Sequence, residues 1–295
     1  MLQSTPIFDI CSLSDFRQDD ILVSRFAPYL EHHKNLYAAH RHTFYHVVFF
    51  TDGTGSHNID FEDFDVKPNQ IYFMIPGQVH SWAFEGFTDG YIINFSNTFF
   101  QSFLLNAAYC ENFGFFTGDV HDAVINLPAD VAVKIKALFE DIIKEWETSP
   151  TQTTDLMRVL MLQLFILVNR VSSGGVSKGP ASYNQTLLKS FQKLVEVHYK
   201  KLKLPKDYAA LLYITPNHLN AVCKDLLGLQ AGEIIRNRII LEAKRLLTNP
   251  KLTITGIALE LNFNDNSYFT KFFRKTEAVT PEEFRKNILK RNNHE

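Results

Sequence analysis

Four histidines carry the most distinctive chemistry in the first third of the chain. His40, His42 and His46 share one parity with Phe44, Val48 and Phe50, and residues two apart on a β-strand face the same side. His80 follows Ile75-Pro76-Gly77-Gln78-Val79. Four imidazoles on one side could bind zinc, iron, nickel or copper. A metal-dependent enzyme needs, in addition, an open coordination position and room for its substrate. The alternative is hydrogen bonding, with the rings lining a ligand pocket or capping strand ends against backbone carbonyls.

A second set of polar side chains lies in the C-terminal half, in two stretches built to one plan. Residues 202–212 read as a short helix with a small buried residue, Ala209. Thr215 is an N-cap candidate, and Pro216 suits the first helical position. The next helix runs to Leu227 and stops at Gly228, the usual residue for a left-handed C-terminal cap. Leu219, Cys223, Leu226 and Leu227 form its inward face, leaving Asn217, His218, Asn220, Ala221 and Lys224 outward. About fifty residues later the plan recurs, with a first helix over 253–261, a turn over 262–265 and a second helix over 266–275. Ala258 matches Ala209, Leu261 matches Leu212, Phe263 matches Ile214, Phe269 matches Leu219 and Phe273 matches Cys223, with one extra residue in the second turn. Helix, tight turn and capped helix make a helix-turn-helix unit. Between the two, residues 231–247 predict one long helix with Ile234, Ile235, Ile239, Ala243, Leu246 and Leu247 inward, which sets the separation of the units.

The elements that must carry these residues differ in charge. The chain has 295 residues and a formal charge of −2. Residues 1–177 hold 10 Lys and Arg against 21 Asp and Glu, a balance of −11; residues 178–295 hold 20 against 11, a balance of +9. An acidic unit joined to one that meets a polyanion, nucleic acid above all, is the expectation. With 45% hydrophobic and 21% charged residues the chain is globular rather than disordered. The most apolar stretch, 156–168, is too short to span a bilayer and contains Arg158 and Gln163. The start has neither a basic cluster nor an apolar core, so no secretory signal is expected. Cys11, Cys110 and Cys223 are too far apart for a CxxC pair, which predicts a reducing cytoplasm.

From Leu22 to Phe99, β-branched and aromatic runs alternate with Gly and Pro turns: residues 45–50 before Asp52-Gly53, 70–75 before Pro76-Gly77, and 90–95. That pattern predicts a small all-β barrel or jelly roll. Two helices follow. Residues 130–147 place Val133, Ile135, Leu138, Ile142 and Trp146 near one face; 153–171 place Leu156, Leu160, Leu164, Leu167 and Val171 at spacings of three and four. The second helix is also apolar on its flank, at Met157, Met161, Phe165 and Val168. Such a stripe fits a helix sandwiched within one protomer or an antiparallel pair in a dimer. Residues 172–180, small and rich in Gly and Ser, read as a linker. The expected organisation is a β barrel over 1–128, a helical segment over 129–172, a linker over 173–182 and an all-α domain over 183–295, which the family resemblance given below reads as effector-binding barrel, dimerisation segment, linker and DNA-binding domain.

Two resemblances bear on these residues. Over about residues 22–96 the chain resembles the cupin barrel, in which HxH, an acidic residue and a later PxGxxH build a metal site; His40, His42 and His80 stand at matching positions and His46 replaces the acid. This implies either a metal-dependent enzyme or metal sensor on His40, His42, His46 and His80, or, as in regulatory barrels of this shape, an effector pocket lined by the same four without metal. The absent acid favours the second, with no cofactor and an organic effector. The C-terminal stretch Ile257-Ala258, Leu261-Asn262-Phe263, Ser267-Tyr268-Phe269-Thr270-Lys271-Phe272-Phe273-Arg274-Lys275, Thr280-Pro281 and Phe284-Arg285, with Arg238-Ile239-Ile240-Leu241-Glu242-Ala243-Lys244-Arg245-Leu246-Leu247 before it, resembles the AraC/XylS family of bacterial transcription regulators over 184–290.

The family resemblance implies a cupin-like barrel with a helical hairpin, a double helix-turn-helix domain, and a non-enzymatic, homodimeric regulator binding promoter DNA in response to a small molecule, with RNA polymerase as a candidate further partner. In this fold the second helix of each unit enters the major groove. Asn217 and Asn220, and Asn266, Ser267, Thr270 and Lys271, then face bases, where Asn suits adenine and Lys suits guanine. Lys224, Arg274 and Lys275 lie where phosphates pass. The sequence departs from the family pattern at Asn262 and Ala278, where glycine is usual, and at Ala221, where a longer reader is common.

Overall fold

The computed structural model describes residues 6–10, 20–33, 36–100, 103–104, 109–148, 151–172 and 182–291. Ten strands form among them: β1 (Ile7–Phe8), β2 (Ile21–Arg25), β3 (His40–His42), β4 (Tyr45–Asp52), β5 (Gly55–Ile59), β6 (Glu62–Asp65), β7 (Gln70–Met74), β8 (Val79–Phe84), β9 (Asp89–Phe95) and β10 (Val124–Asn126). They pair as two five-stranded sheets, β1-β3-β8-β5-β6 and β10-β7-β4-β9-β2. Strand β4 shows why the pairing is unambiguous. Val48 and Phe50 belong to an inner core with Phe44, Ile59, Tyr72, Met74, Trp82 and Ile92. Val47 and Phe49 face the other way, with Ile71, Phe73, Tyr91 and Ile93. A strand apolar on both faces is buried on both, and a slip of one residue would exchange two different cores. At Gly90 the β4 backbone comes so close that a Cβ would lie 2.0 Å from the Phe49 carbonyl oxygen, so only glycine fits.

The single strand expected to carry His40, His42 and His46 is corrected. The ladder breaks at Thr43-Phe44, so β3 lies in one sheet and β4 in the other. The shared parity survives the break because both sheets point these residues into the space between them.

Helix α1 (Phe26–His32) and the one-turn α2 (Val120–Ala123) precede the predicted hairpin, formed by α3 (Ala129–Thr148) and α4 (Thr153–Ser172). The hairpin does not stand apart from the sheets. Ile135, Phe139 and Ile142 of α3, and Met157, Met161, Leu164, Phe165 and Val168 of α4, share one buried cluster with the outer face of the second sheet. Phe165 sits among the rings of Phe73, Phe95, Phe100, Phe113, Phe115 and Phe116, with centroids 5.3 to 6.1 Å away. The flank of α4 that looked surplus is thus its packing face. Leu164, expected on the dimer stripe, is fully buried within the protomer. Leu156 and Val159 remain about half exposed.

Pro6–Val176 make one compact unit and Ser177–Glu295 fall in the other. The predicted linker lies outside the described residues as far as residue 181. Ser182 caps α5 (Tyr183–His198) in a reciprocal capping box with Gln185. Six further helices follow: α6 (Pro205–Leu211), α7 (Pro216–Leu227), α8 (Ala231–Leu247), α9 (Ile254–Glu260), α10 (Asn266–Glu277) and α11 (Pro281–Arg291). They close around Phe191, Tyr208, Leu219, Cys223, Ile235, Ile239, Ala243, Leu247, Ala258, Phe263, Phe269 and Phe273. Within α7 the inward face is Leu219, Val222 and Cys223, while Leu226 and Leu227 are partly exposed, a correction to the predicted stripe.

Candidate functional site

The two helix-turn-helix units are α6–α7 and α9–α10. Thr215 accepts the His218 backbone N–H, fixing the start of α7, and Gly228 closes it at φ 71°. Asp265 accepts the N–H groups of Ser267 and Tyr268 at the start of α10, and Ala278 closes that helix at φ 61°. A left-handed alanine costs about 1 kcal/mol that glycine would not. The turn before each second helix is also left-handed, at Tyr213 (φ 56°) and Asn262 (φ 58°). Asn tolerates this conformation, whereas an aromatic residue is strained by it. The internal match seen in the sequence therefore extends to the backbone.

Asn217, Ala221 and Lys224 are exposed on α7; Asn266, Ser267, Lys271, Arg274 and Lys275 are exposed on α10, with Thr270 half-buried beside them. Spacings of three and four put Ser267, Thr270, Lys271 and Arg274 on one face. Asn220 departs from expectation. Its amide oxygen accepts the Ala231 N–H at 3.0 Å, so the side chain ties α7 to the start of α8 and is not free to reach a base.

Two cations that spacing alone does not reveal brace this unit. Lys203 donates to the carbonyl oxygens of Lys200 (2.9 Å), Leu261 (2.8 Å) and Asn262 (3.1 Å), and its ammonium lies 4.6 Å from the Phe263 ring centre. It joins the approach to the first unit with the turn of the second. Burial pulls its pKa down from the usual lysine value. Arg238 on α8 bonds Glu196 (2.7 Å) and Glu242 (3.2 Å) and lies over the Tyr199 ring at 3.9 Å, tying α5 to α8. Its pKa is held above the usual arginine value by these acids, against the opposing pull of burial.

The second candidate site lies between the sheets of the N-terminal unit. His40 faces His80 directly across β3 and β8, His57 on β5 is diagonal to His80, and His46 comes from β4 in the opposite sheet. The four expected histidines are brought together, and His57 is a fifth that sequence reading missed. Only Ile59, two residues on, marks the buried face of that strand. All five rings are at most 3% exposed. His42 Nε2 and His80 Nε2 are 2.9 Å apart, and His80 Nδ1 and His57 Nε2 are 3.1 Å apart. His40 Nδ1 lies 2.8 Å from the Ala38 carbonyl, and His46 Nδ1 lies 2.6 Å from Asn94 Oδ1. Burial, with mutual repulsion of the charged forms, lowers every pKa in the group: to about 4 at His40, to about 3 at His46, and well below the normal value at His42, His57 and His80. All five are neutral at pH 7.

This is not the open pocket expected from sequence. The His40 and His80 ring centres are 4.1 Å apart, those of His40 and His42 4.7 Å, and those of His42 and His46 5.0 Å. Rings in such contact leave no organic-sized space between them. A cleft of about 390 Å³ does lie beside α1, lined by residues including Leu30, Glu31, Tyr37, Phe84 and Phe87.

Residues 24–161 match the AraC-like ligand binding domain, and residues 208–287 match a helix-turn-helix domain. The regulatory protein PocR of Salmonella typhimurium is 27% identical over 112 residues, 38% of this chain but only 37% of PocR. The chain thus matches little over a third of that relative's length. The transcriptional activator RhaR of Mannheimia succiniciproducens is 18% identical over 260 residues, 88% of this chain and 91% of RhaR. Among solved structures, ToxT from Vibrio cholerae O395 aligns with 90% of this chain and 97% of its own at 13% identity and a TM-score of 0.44.

Proposed function

The chain belongs to the AraC family of transcription regulators, with that family's ligand-binding domain and a helix-turn-helix domain, and on that premise we propose that it reads a bipartite promoter site under the control of a small ligand. One observation carries the DNA reading: two matched units in one helical body, each with polar residues exposed on its second helix. The 17-residue α8 separates them, roughly 25 Å at 1.5 Å per residue. With the width of the helices, this suits two major grooves on one DNA face, about 34 Å apart. Asn217, Asn266, Ser267, Thr270 and Lys271 read bases, Lys224, Arg274 and Lys275 hold phosphates, and Asn220 supports α7.

A randomised-site selection with footprinting tests these roles. Lys271→Ala should relax base preference at one or two positions and cost about 1–3 kcal/mol. Arg274→Ala should weaken all sequences alike and lower the salt slope by about one. Asn217→Ala should alter only the other half of the motif. A selected motif left unchanged by Lys271→Ala, with uniformly reduced affinity, would remove α10 from base reading.

The N-terminal unit is the ligand-responsive part, with His40, His42, His46 and His80 at its centre. We assign it no catalytic activity, in keeping with the transcription regulators that it matches. The chain acts in the cytoplasm, where the promoters are, and RNA polymerase is a candidate partner. We also place a homodimer interface on α4, now centred on Leu156 and Val159 rather than Leu164. Leu156→Asp with Val159→Asp should shift the chain to monomer by light scattering while the far-UV spectrum is kept; a folded double variant that remains dimeric points to another surface.

A further inference from the structure

We propose that Tyr213, in the turn of the first helix-turn-helix unit, is a DNA contact whose hydroxyl donates to a backbone phosphate at the edge of the groove that α7 enters. This rests on the reading of α7 as a DNA-reading helix. Two independent observations single the residue out. Its backbone is left-handed, at φ 56°, a conformation that strains a residue with a bulky side chain. It is also 96% exposed, so packing against the rest of the unit does not offset that strain. The turn around it is firmly held. Leu212 N–H donates to the Tyr208 carbonyl at 3.0 Å, Tyr213 N–H to that of Ala210 at 3.2 Å and Ile214 N–H to that of Ala209 at 3.0 Å. Glycine would hold the same turn without the strain, and strained residues fixed in this way concentrate at functional sites.

Position in the chain names the partner. When the first residues of a helix lie on base edges, the chain leading into that helix has to cross the rim of the groove, where the phosphates stand. In the first unit that crossing is residues 212–215. Leu212 and Ile214 pack on the core of the helical unit. Thr215 Oγ1 is taken by the His218 N–H. That leaves Tyr213, with Asn217 exposed four residues on. Tyrosine is among the side chains that bond DNA phosphates, and a bond to an ionised oxygen is stronger than one to a neutral acceptor. The first unit also needs an anchor more than the second. The second has the same left-handed turn at Asn262 (φ 58°), a residue that tolerates it. Its α10 carries Lys271, Arg274 and Lys275, whereas α7 carries Lys224 as its one lysine or arginine. Ala221 stands on α7 where Lys271 stands on α10, and Asn220 is tied to Ala231. Tyr213 supplies the missing anchor without adding charge.

The test uses the full chain and a duplex carrying the motif that it selects from a random pool. Tyr213→Gly should keep or raise the unfolding midpoint of the helical unit, because the strain is relieved, and yet lose affinity about tenfold. Opposite signs in stability and binding are what a merely structural residue does not give. Tyr213→Phe keeps the ring and the backbone and should lose nearly as much affinity, since the hydroxyl makes the bond. The loss should be equal across sequences and leave the salt slope unchanged, because no cation is removed; Lys224→Ala should lower that slope by about one. Ethylation of single phosphates locates the contact. One phosphate flanking the half of the motif read by α7 should block binding by the unmodified chain when ethylated and cease to matter for Tyr213→Phe. Should Tyr213→Gly lower the midpoint or fail to fold, Tyr213→Phe and the ethylation pattern decide alone. Full affinity in Tyr213→Phe with an unchanged ethylation pattern overturns this contact and leaves the DNA reading standing. A chain that selects no motif at all overturns both.

Discussion

Acidified from pH 7 to pH 5 after chelator treatment, the N-terminal unit should unfold while the helical unit stays folded. The cause is the five buried neutral histidines. In the unfolded chain each titrates near 6.5, whereas in the folded unit each is held lower, to about 4 at His40 and about 3 at His46. Above pH 6.5 both states are neutral and the difference contributes nothing. As pH falls below 6.5 only the unfolded chain takes up protons, so stability declines until the folded pKa values are reached. Each histidine removes a little over about 1 kcal/mol per pH unit, and five together roughly 5–7 kcal/mol. That is comparable with the whole stability of a typical domain, about 5–15 kcal/mol. Trp82 reports the event directly, since its ring centre is 4.9 Å from that of His80 and 5.4 Å from that of His57. Its fluorescence should change cooperatively between pH 6.5 and 4, and less steeply in His57→Phe. Stability that is flat from pH 7 to pH 5 would show that the rings do not stay neutral in the folded unit.

Phe165→Ala should be the most damaging single truncation in α4, costing about 3–5 kcal/mol. The side chain is fully buried and surrounded by six phenylalanine rings from β7, β9 and the segment following β9. Rings on that many sides cannot all collapse into the vacated volume. Denaturant unfolding should lower the midpoint of the N-terminal transition and leave that of the C-terminal transition in place. Phe165→Leu should recover part of the loss. A cost below about 1 kcal/mol would mean that α4 is held by other contacts, and the proposed dimer interface on Leu156 and Val159 would then be the first place to look.

Much of the helical unit is legible in the sequence because its determinants are local. Thr215, Pro216 and Gly228 mark a helix by chemistry that acts within one turn, and the repeat about fifty residues later confirms each position independently. Asn220 is misread for the opposite reason. Its spacing assigns it to the outer face, but its partner is Ala231, eleven residues away and past a turn. Lys203 is invisible in the same way, since the carbonyls of Leu261 and Asn262 meet it only after the chain has folded. In the N-terminal unit, parity identifies which side His40, His42 and His46 face but not that the sheet changes between them. Nor does it predict that the space they face is filled by His57. A pocket and a packed cluster have the same alternating pattern, and only the distance between the sheets tells them apart.

The long helix α8 joins length to phase. In an α-helix each residue adds 1.5 Å and turns the next by about 100°. On the proposed DNA reading, inserting one residue into α8 would swing α10 away from its groove for only a trivial gain in reach, and four would restore most of the rotation with about 6 Å added. The Lys203 brace makes even that compromise costly, because it ties the approach to the first unit to the turn of the second. Divergence in the promoters recognised by this chain and its descendants is therefore expected to proceed by side-chain exchange on α7 and α10. The proposed spacing of about 34 Å between the two halves of the site would be the slowest feature to change.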